Sequence, residues 1–399
     1  MGQALVTGVA RCLVAAAATL GLSACERGGT TVTDAHAVAY EVALATLPDG
    51  MMLAWHDGRT VPESLYVRRL GPDGHARGPE IRLTRGPARA FEPDLAVLPD
   101  QFVVAWYEKD AAGHLAAQLG AWSLQGQRLW KRSLSAEDGD GRNPVLLVVK
   151  GRIFCAWIET NPLKQVRVWG EWFTQDGEPM GAPFGMADAS STTWNLNATA
   201  GAEGVVYVVF DARLATRASE LYAARVDATD VAVWRLSTDD GQDSVYPDLG
   251  ISGGRYALTW WDHRDGNNQV YLAVGSIEEL ERRQPVDRPA RRVMPTRGDA
   301  MGAYLAWNGD RIGLAWCDNT VGQYEIYFES FRGDGSPERP AQRLTRNRTW
   351  SLIPSIRAWR QGFALAWNEY LPADQTPAAH DHSDSGATAA SYAVTDLVP

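Results

Sequence analysis

The feature that most constrains this chain is a short apolar stretch that ends in tryptophan and returns at a nearly constant interval. Phe363 to Trp367 reads FALAW, and close variants end at Trp55, Trp106, Trp157, Phe210, Trp260 and Trp316. Successive copies are 51, 51, 53, 50, 56 and 51 residues apart. That period is far longer than a coiled-coil or collagen repeat and has the length of one supersecondary unit. The 399 residues therefore read as a single array of seven units. With 45% apolar residues and 16 tryptophans, the array has ample material for a continuous core.

The second repeat shows what one unit contains. A Pro-marked strand around Asp94 to Leu98 turns at Pro99-Asp100, and the strand FVVAWYE follows. A third strand is expected at Leu115 to Ser123, and a fourth from Arg128 to Leu134 after a turn at Gln125-Gly126. Apolar runs bounded by turn residues in this way make a four-stranded antiparallel meander. The punctuation recurs at Asp49-Gly50, Lys150-Gly151, Gly253-Gly254 and Gln361-Gly362 before the second strand, and at Asp73-Gly74, Asp176-Gly177 and Asp334-Gly335 before the fourth. The fold class is thus all-β: a seven-bladed β-propeller of four-stranded antiparallel blades, spanning residues 30–399. The repeated Trp is expected to wedge between blades.

The last repeat offers strands at Ser355 to Trp359, at FALAWNE and at Ser391 to Leu397, and then the chain ends without a fourth. Thr33 lies 22 residues before Trp55, and Thr84, Thr238 and Thr345 lie 22 before Trp106, Trp260 and Trp367. Residues 29 to 34 are therefore expected to be the outer strand of the last blade. An N-terminal strand there closes the ring and removes its free edges.

Ahead of that strand, Arg11 precedes the apolar run Cys12 to Leu22, which is too short to span a bilayer and suits the core of a secretory signal. The run ends in Leu22-Ser23-Ala24-Cys25, which resembles the lipobox of bacterial lipoproteins. The resemblance implies a signal peptide over residues 1–24, lipidation of Cys25, a short tether over 25–29, export, and a lipid anchor in the cell envelope. Glu26 after the Cys is compatible with delivery to the outer membrane. Formal net charge is -10, and -11 once Arg11 leaves, so nucleic acid is an unsuitable partner. Cys155 and Cys317 each sit inside an apolar strand and read as small buried hydrophobes.

An acid follows every repeat Trp. Asp57, Glu108, Glu159, Asp262, Asp318 and Glu369 stand two residues on, and Asp211 directly follows Phe210. Alternating strand direction puts all seven at one end of the disc. Three lie in D-x-R units, which adds Arg59, Arg213 and Arg264. Repetition in every unit suits a scaffold role, each acid accepting from its own turn or pairing with the neighbouring Arg; the functional alternative is a charged mouth for a cation or a glycan. One insertion breaks the symmetry, Leu371 to Ala390, with His380, Asp381 and His382 as weak candidate ligands for a divalent cation. No cofactor is otherwise implied.

Through its AW-x-[DE] strands, D-x-R loops and DG turns, the mature chain resembles the sialidase-like and TolB-like propeller lipoproteins of bacteria. Sialidases hold a substrate carboxylate with three arginines from different blades, and Arg59, Arg213 and Arg264 are the superficial counterparts, each with an acid two residues earlier that could neutralise it. Without an asymmetric catalytic constellation, the expectation is a non-enzymatic, lipid-anchored scaffold that binds an envelope protein or polysaccharide through one loop face. The alternative is a glycoside hydrolase or lyase of sialidase-like type, with paired carboxylates as acid and base.

Overall fold

The computed structural model describes residues 29–34, 39–187, 190, 192–227, 230–288, 290–346, 349–370 and the strand Ala387–Thr395. The lipobox Cys25, the signal segment and the His380, Asp381 and His382 insertion lie outside the described residues.

The described residues form seven four-stranded antiparallel sheets, one for each repeat. The architecture is an all-β propeller. In the second blade the strands are Arg89–Val97, Gln101–Lys109, Leu115–Ser123 and Arg128–Ser133, in sequence order from the axis outward. The last blade takes Trp350–Trp359, Gly362–Tyr370 and Ala387–Thr395 from the C-terminal repeat and adds Thr30–Thr31 as its outer strand. Thr30 pairs with Tyr392 and Thr31 with Ser391, so the chain's two end segments share one blade. The long interval between Trp260 and Trp316 is explained by a one-turn helix, Ile277–Leu280, inserted after the third strand of blade five and started by a capping box from Ser276 and Glu279.

Apolar side chains gather into seven clusters, and each cluster joins two adjacent blades. This follows from strand periodicity, since alternate residues of a second strand face opposite neighbours. In blade two, Phe102, Val104 and Trp106 pack against blade one, while Val103 and Ala105 pack against blade three. The repeated Trp faces the preceding blade throughout, and Trp55 faces the last one across the seam, with Ala364 and Ala366. Cys155 and Cys317 are buried free thiols in these layers.

First strands depart from the sequence expectation in a regular way. They begin earlier, at Arg89 instead of Asp94 and at Trp350 instead of Ser355, because a bulge lets the strand run on through a proline. Ladder registers shift between Phe91 and Asp94 and between Leu352 and Ser355, around Pro93 and Pro354. The third strand of blade seven likewise starts at Ala387, earlier than Ser391, and the closing strand is shorter than the expected 29–34.

Because the tryptophans fill whole interblade layers, Trp260→Ala is expected to cost about 3–5 kcal/mol. Chemical denaturation at fixed m-value checks this. A loss below about 1 kcal/mol would mean that the interblade layer relaxes around the hole.

Candidate functional site

The acids that follow each Trp stand at one end of the disc, and the structure turns them inward. A residue two positions along a strand points to the same face, so the carboxylate comes back over the indole. Trp55 Nε1 donates to Asp57 at 2.9 Å, Trp106 to Glu108 at 3.1 Å, Trp157 to Glu159 at 3.2 Å, Trp260 to Asp262 at 3.3 Å and Trp367 to Glu369 at 2.6 Å. Asp318 takes Thr320 N and Thr296 Oγ1 instead. Glu108 also holds Lys131 at 2.8 Å. Six of the seven are buried, Glu108 being the exception.

Two of the D-x-R units are closed pairs. Arg59 reaches Asp57 at 2.5 Å and Glu80 at 2.6 Å and lies over the Tyr66 ring. Arg264 repeats this with Asp262, Asp287 and Tyr271. Burial works against the Arg59 charge, but the hydrogen bonds to Asp57 and Glu80 outweigh it and raise its pKa. Burial likewise opposes the Asp262 charge, and Arg264 and Ser244 overcome it, so its carboxyl stays below the usual range.

The third unit departs from the pattern. Asp211 directly follows Phe210, one position early, and therefore points to the other face of its sheet. It accepts Trp194 N at 2.6 Å and Tyr246 N at 2.9 Å. Arg213 is exposed and donates to Arg217 O, so Asp211 does not neutralise it as the spacing predicted. The three arginines do not converge on one point: Arg59 and Arg264 are engaged within their own blades, and Arg213 stands at the surface. No group of three metal-ligating side chains is assembled among the described residues.

A cavity of about 870 Å³ lies where the first strands line the axis. Its mouth is set by the bulges. In six blades the bulge residue has a left-handed backbone: Glu41, Glu92, Asn143, Tyr246, Gly302 and Ile353, with φ between 47 and 60. Asn195 holds the corresponding place in blade four. All of these line the cavity. They were legible in one respect, for each stands 14 residues before its repeat Trp, or 15 before Phe210. The prolines beside them register in the sequence only as strand punctuation, which hides their partners.

The seven positions are equivalent in the fold and different in chemistry. Blades one to four present Glu, Glu, Asn and Asn. Blades five to seven present an aromatic side, where Tyr246 stacks on Trp261 at 5.3 Å and Tyr304, Tyr324, Trp350 and Tyr370 complete the wall. Glu92 is pushed well up by burial and by the neighbouring Glu41 carboxylate. Tyr107 Oη donates to Glu92 at 3.3 Å, and His56 Nδ1 lies 3.3 Å from Glu41. Arg142 is the nearby cation, held by hydrogen bonds to Thr160 Oγ1 and Thr193 O. Deeper in, Asp94 and Asp248 accept backbone N–H groups of Leu146 and Leu305 from the next blade.

No family model matches the chain, and no curated protein matches it in sequence. Solved structures match in fold. A Mycobacterium tuberculosis puromycin-hydrolyzing peptidase is 12% identical with a TM-score of 0.55, over 86% of this chain and 52% of that one. The phage phi92 endosialidase is 9% identical with a TM-score of 0.50, over 93% of this chain and 70% of that one. The propeller domain of the trilobed protease of Pyrococcus furiosus is 8% identical with a TM-score of 0.50, over 84% and 92%. This chain thus spans about half the length of the peptidase. At these identities the likeness establishes a propeller fold.

Two predictions follow from the carboxyls. Asp262→Ala removes the acceptor for the Trp260 indole, Ser244 and Arg264, and is expected to lower stability by about 3 kcal/mol. Urea melts check it, and an unchanged melt would free Asp262 for another role. Burial first of all raises Glu171, Asp211 and Glu220 to about 7 and Asp248 to about 6. The folded state then binds more protons than the unfolded chain, whose carboxyls titrate near 4. The stability these four carboxyls contribute is therefore fully present below that value and is lost as pH rises toward 7. Melting temperatures recorded from pH 5 to 8 should decline, and a rise across that window would contradict these shifts.

Proposed function

We propose that this protein is a non-enzymatic, lipid-anchored binding propeller that takes an envelope polysaccharide at the mouth of its axial cavity. The observation that carries the proposal is the break in symmetry at the bulge positions. Features shared by every blade serve the scaffold, as the Trp-acid bonds do, whereas Glu41, Glu92, Asn143 and Asn195 face an aromatic wall across one opening. Flat rings suit the apolar faces of sugar rings, and carboxyls and amides suit their hydroxyls. A pocket of this kind, concave with convergent polar groups, is also the default place for a ligand on such a fold.

The carboxyl arrangement favours binding over hydrolysis. Glycosidases place their two carboxyls roughly 5–9.5 Å apart to flank the scissile bond. Glu41 and Glu92 instead sit on adjacent blades on the same side of the cavity and do not flank it from opposite sides. The exposed loop tips at the same end, such as Val61 and Leu163, offer a surface for an envelope protein.

Orientation supports the lipid anchor as part of this function. Thr30–Thr31 runs antiparallel to Ala387–Thr395, and so parallel to Gly362–Tyr370, which ends at the cavity mouth. A chain entering at Thr30 therefore comes from the opposite end of the disc. In this reading, a lipid anchor on that side would leave the mouth facing away from the membrane.

Thermal melts of residues 27–399 against a panel of envelope polysaccharide fragments test the binding. A ligand at a hundred times its dissociation constant adds about 2.7 kcal/mol. The expected result is a rise in melting temperature that Tyr246→Ala abolishes. A panel without any shift would remove the polysaccharide and send the search to protein partners by cross-linking.

A further inference from the structure

The polar side of the mouth is unevenly charged. Glu41 and Glu92 stand on adjacent blades with left-handed backbones at φ 47 and 48, both line the cavity, and the Glu41 charge helps hold Glu92 raised. Other titratable groups reach them from several elements. His56 comes from the second strand of blade one, Tyr107 from that of blade two, Arg142 from the first strand of blade three, and Tyr370 from blade seven. Among the described residues Glu92 has no ion pair. Arg142 is mostly buried and hydrogen-bonded within the wall, so it does not occupy the opening.

Across the opening stand the rings of Tyr246, Trp261 and Tyr304, close enough that Tyr246 and Tyr304 both feel the charge of Glu41. Carboxyls on one side and ring faces on the other attract the same kind of group. Ring faces draw a cation by their quadrupole, and a desolvated cation gains about 2 kcal/mol or more there. A carboxylate adds a charge-assisted hydrogen bond. A bare metal ion fits less well, since three ligating side chains do not gather among the described residues.

We propose that the ligand of this cavity presents a protonated amine, seated between the Glu41–Glu92 pair and the aromatic wall. The proposal rests on the polysaccharide reading above and names the group that decides recognition: an amino sugar whose nitrogen is free. Proton balance follows. The amine enters as ammonium and stays so, while the proton that Glu92 holds at acid pH leaves to solvent, so binding below the Glu92 pKa releases one proton. The raised pKa of Glu92 means that the pair is protonated in the empty site at acid pH. Affinity then rises with pH as this proton becomes easier to lose, until the ligand's own amine begins to deprotonate.

Glucosamine tetramer and its N-acetylated counterpart test this on residues 27–399 by titration calorimetry, because they share a backbone and differ in charge. The expected result is roughly ten-fold tighter binding of the free-amine tetramer, about 1.4 kcal/mol, with an enthalpy that depends on the buffer's own ionisation. Glu92→Gln keeps a neutral hydrogen-bonding group of the same shape and should fold normally. It should abolish the proton release and shrink the preference, with Glu41 left as the remaining carboxylate. Equal affinity of the two tetramers, or preference for the acetylated one, would overturn the amine proposal and leave the polysaccharide reading in place. Binding of neither tetramer overturns the amine proposal as well, and the wider fragment panel then decides separately whether the cavity takes a polysaccharide at all.

Discussion

The structure depends on giving a buried indole both a layer to fill and an acceptor for its N–H. An interblade tryptophan supplies more apolar area than any other side chain, and its nitrogen is costly to bury unpaired. The Trp-x-acid spacing solves both problems within one strand. The ring packs against the preceding blade, and the carboxylate two residues on returns over the same face to accept the proton. In blades one and five the same carboxylate also holds an arginine against the next strand's tyrosine, which ties the loop to the layer. Blade six shows what the device is for by partly lacking it. There Trp316 Nε1 finds no partner among the described residues, and Asp318 serves a turn and a threonine instead.

Most of this frame could be read from the chain. A period near fifty, turn pairs at fixed offsets and threonines 22 residues before four of the repeat Trp residues led to four-stranded blades and to a closing strand near Thr30, where the structure has it. The bond between each acid and its own Trp was also within reach, since residues two apart on a strand share a face. What the repeat hid was the axis. Pro93, Pro144, Pro247 and Pro354 mark bulges, and only the folded ring brings the residues before them together. Their shared offset of 14 from the Trp is visible in the sequence, yet the fact that they meet belongs to the ring.

Scaffold and site are therefore separated by strand position. Second strands carry the symmetric chemistry of the layers, and the residues that differ from blade to blade lie on first strands, where seven neighbours converge. Left-handed backbone at Glu41, Glu92, Tyr246 and Ile353 is a conformation that side-chain-bearing residues adopt at a cost, held here by the ladders on either side. The bulge frees these positions from the alternation that governs the rest of the strand, so their side chains can vary without disturbing any interblade layer. Asp94 and Asp248, one step further in, show the opposite case, each committed to a backbone N–H of the following blade.

The pairing of Thr30 with Tyr392 also orders events in time. Partners 362 residues apart on the chain are about as distant as this polypeptide allows, and contacts so remote in sequence form late. The outer strand of the last blade is made first and must wait until nearly the whole protein has emerged before it has anywhere to bind. Until then six complete blades can stack from one end like an unfinished repeat array, with an open edge at each side of the gap. Shutting the ring is thus a proofreading step: a chain cut short before its last strand has no partner for its own beginning.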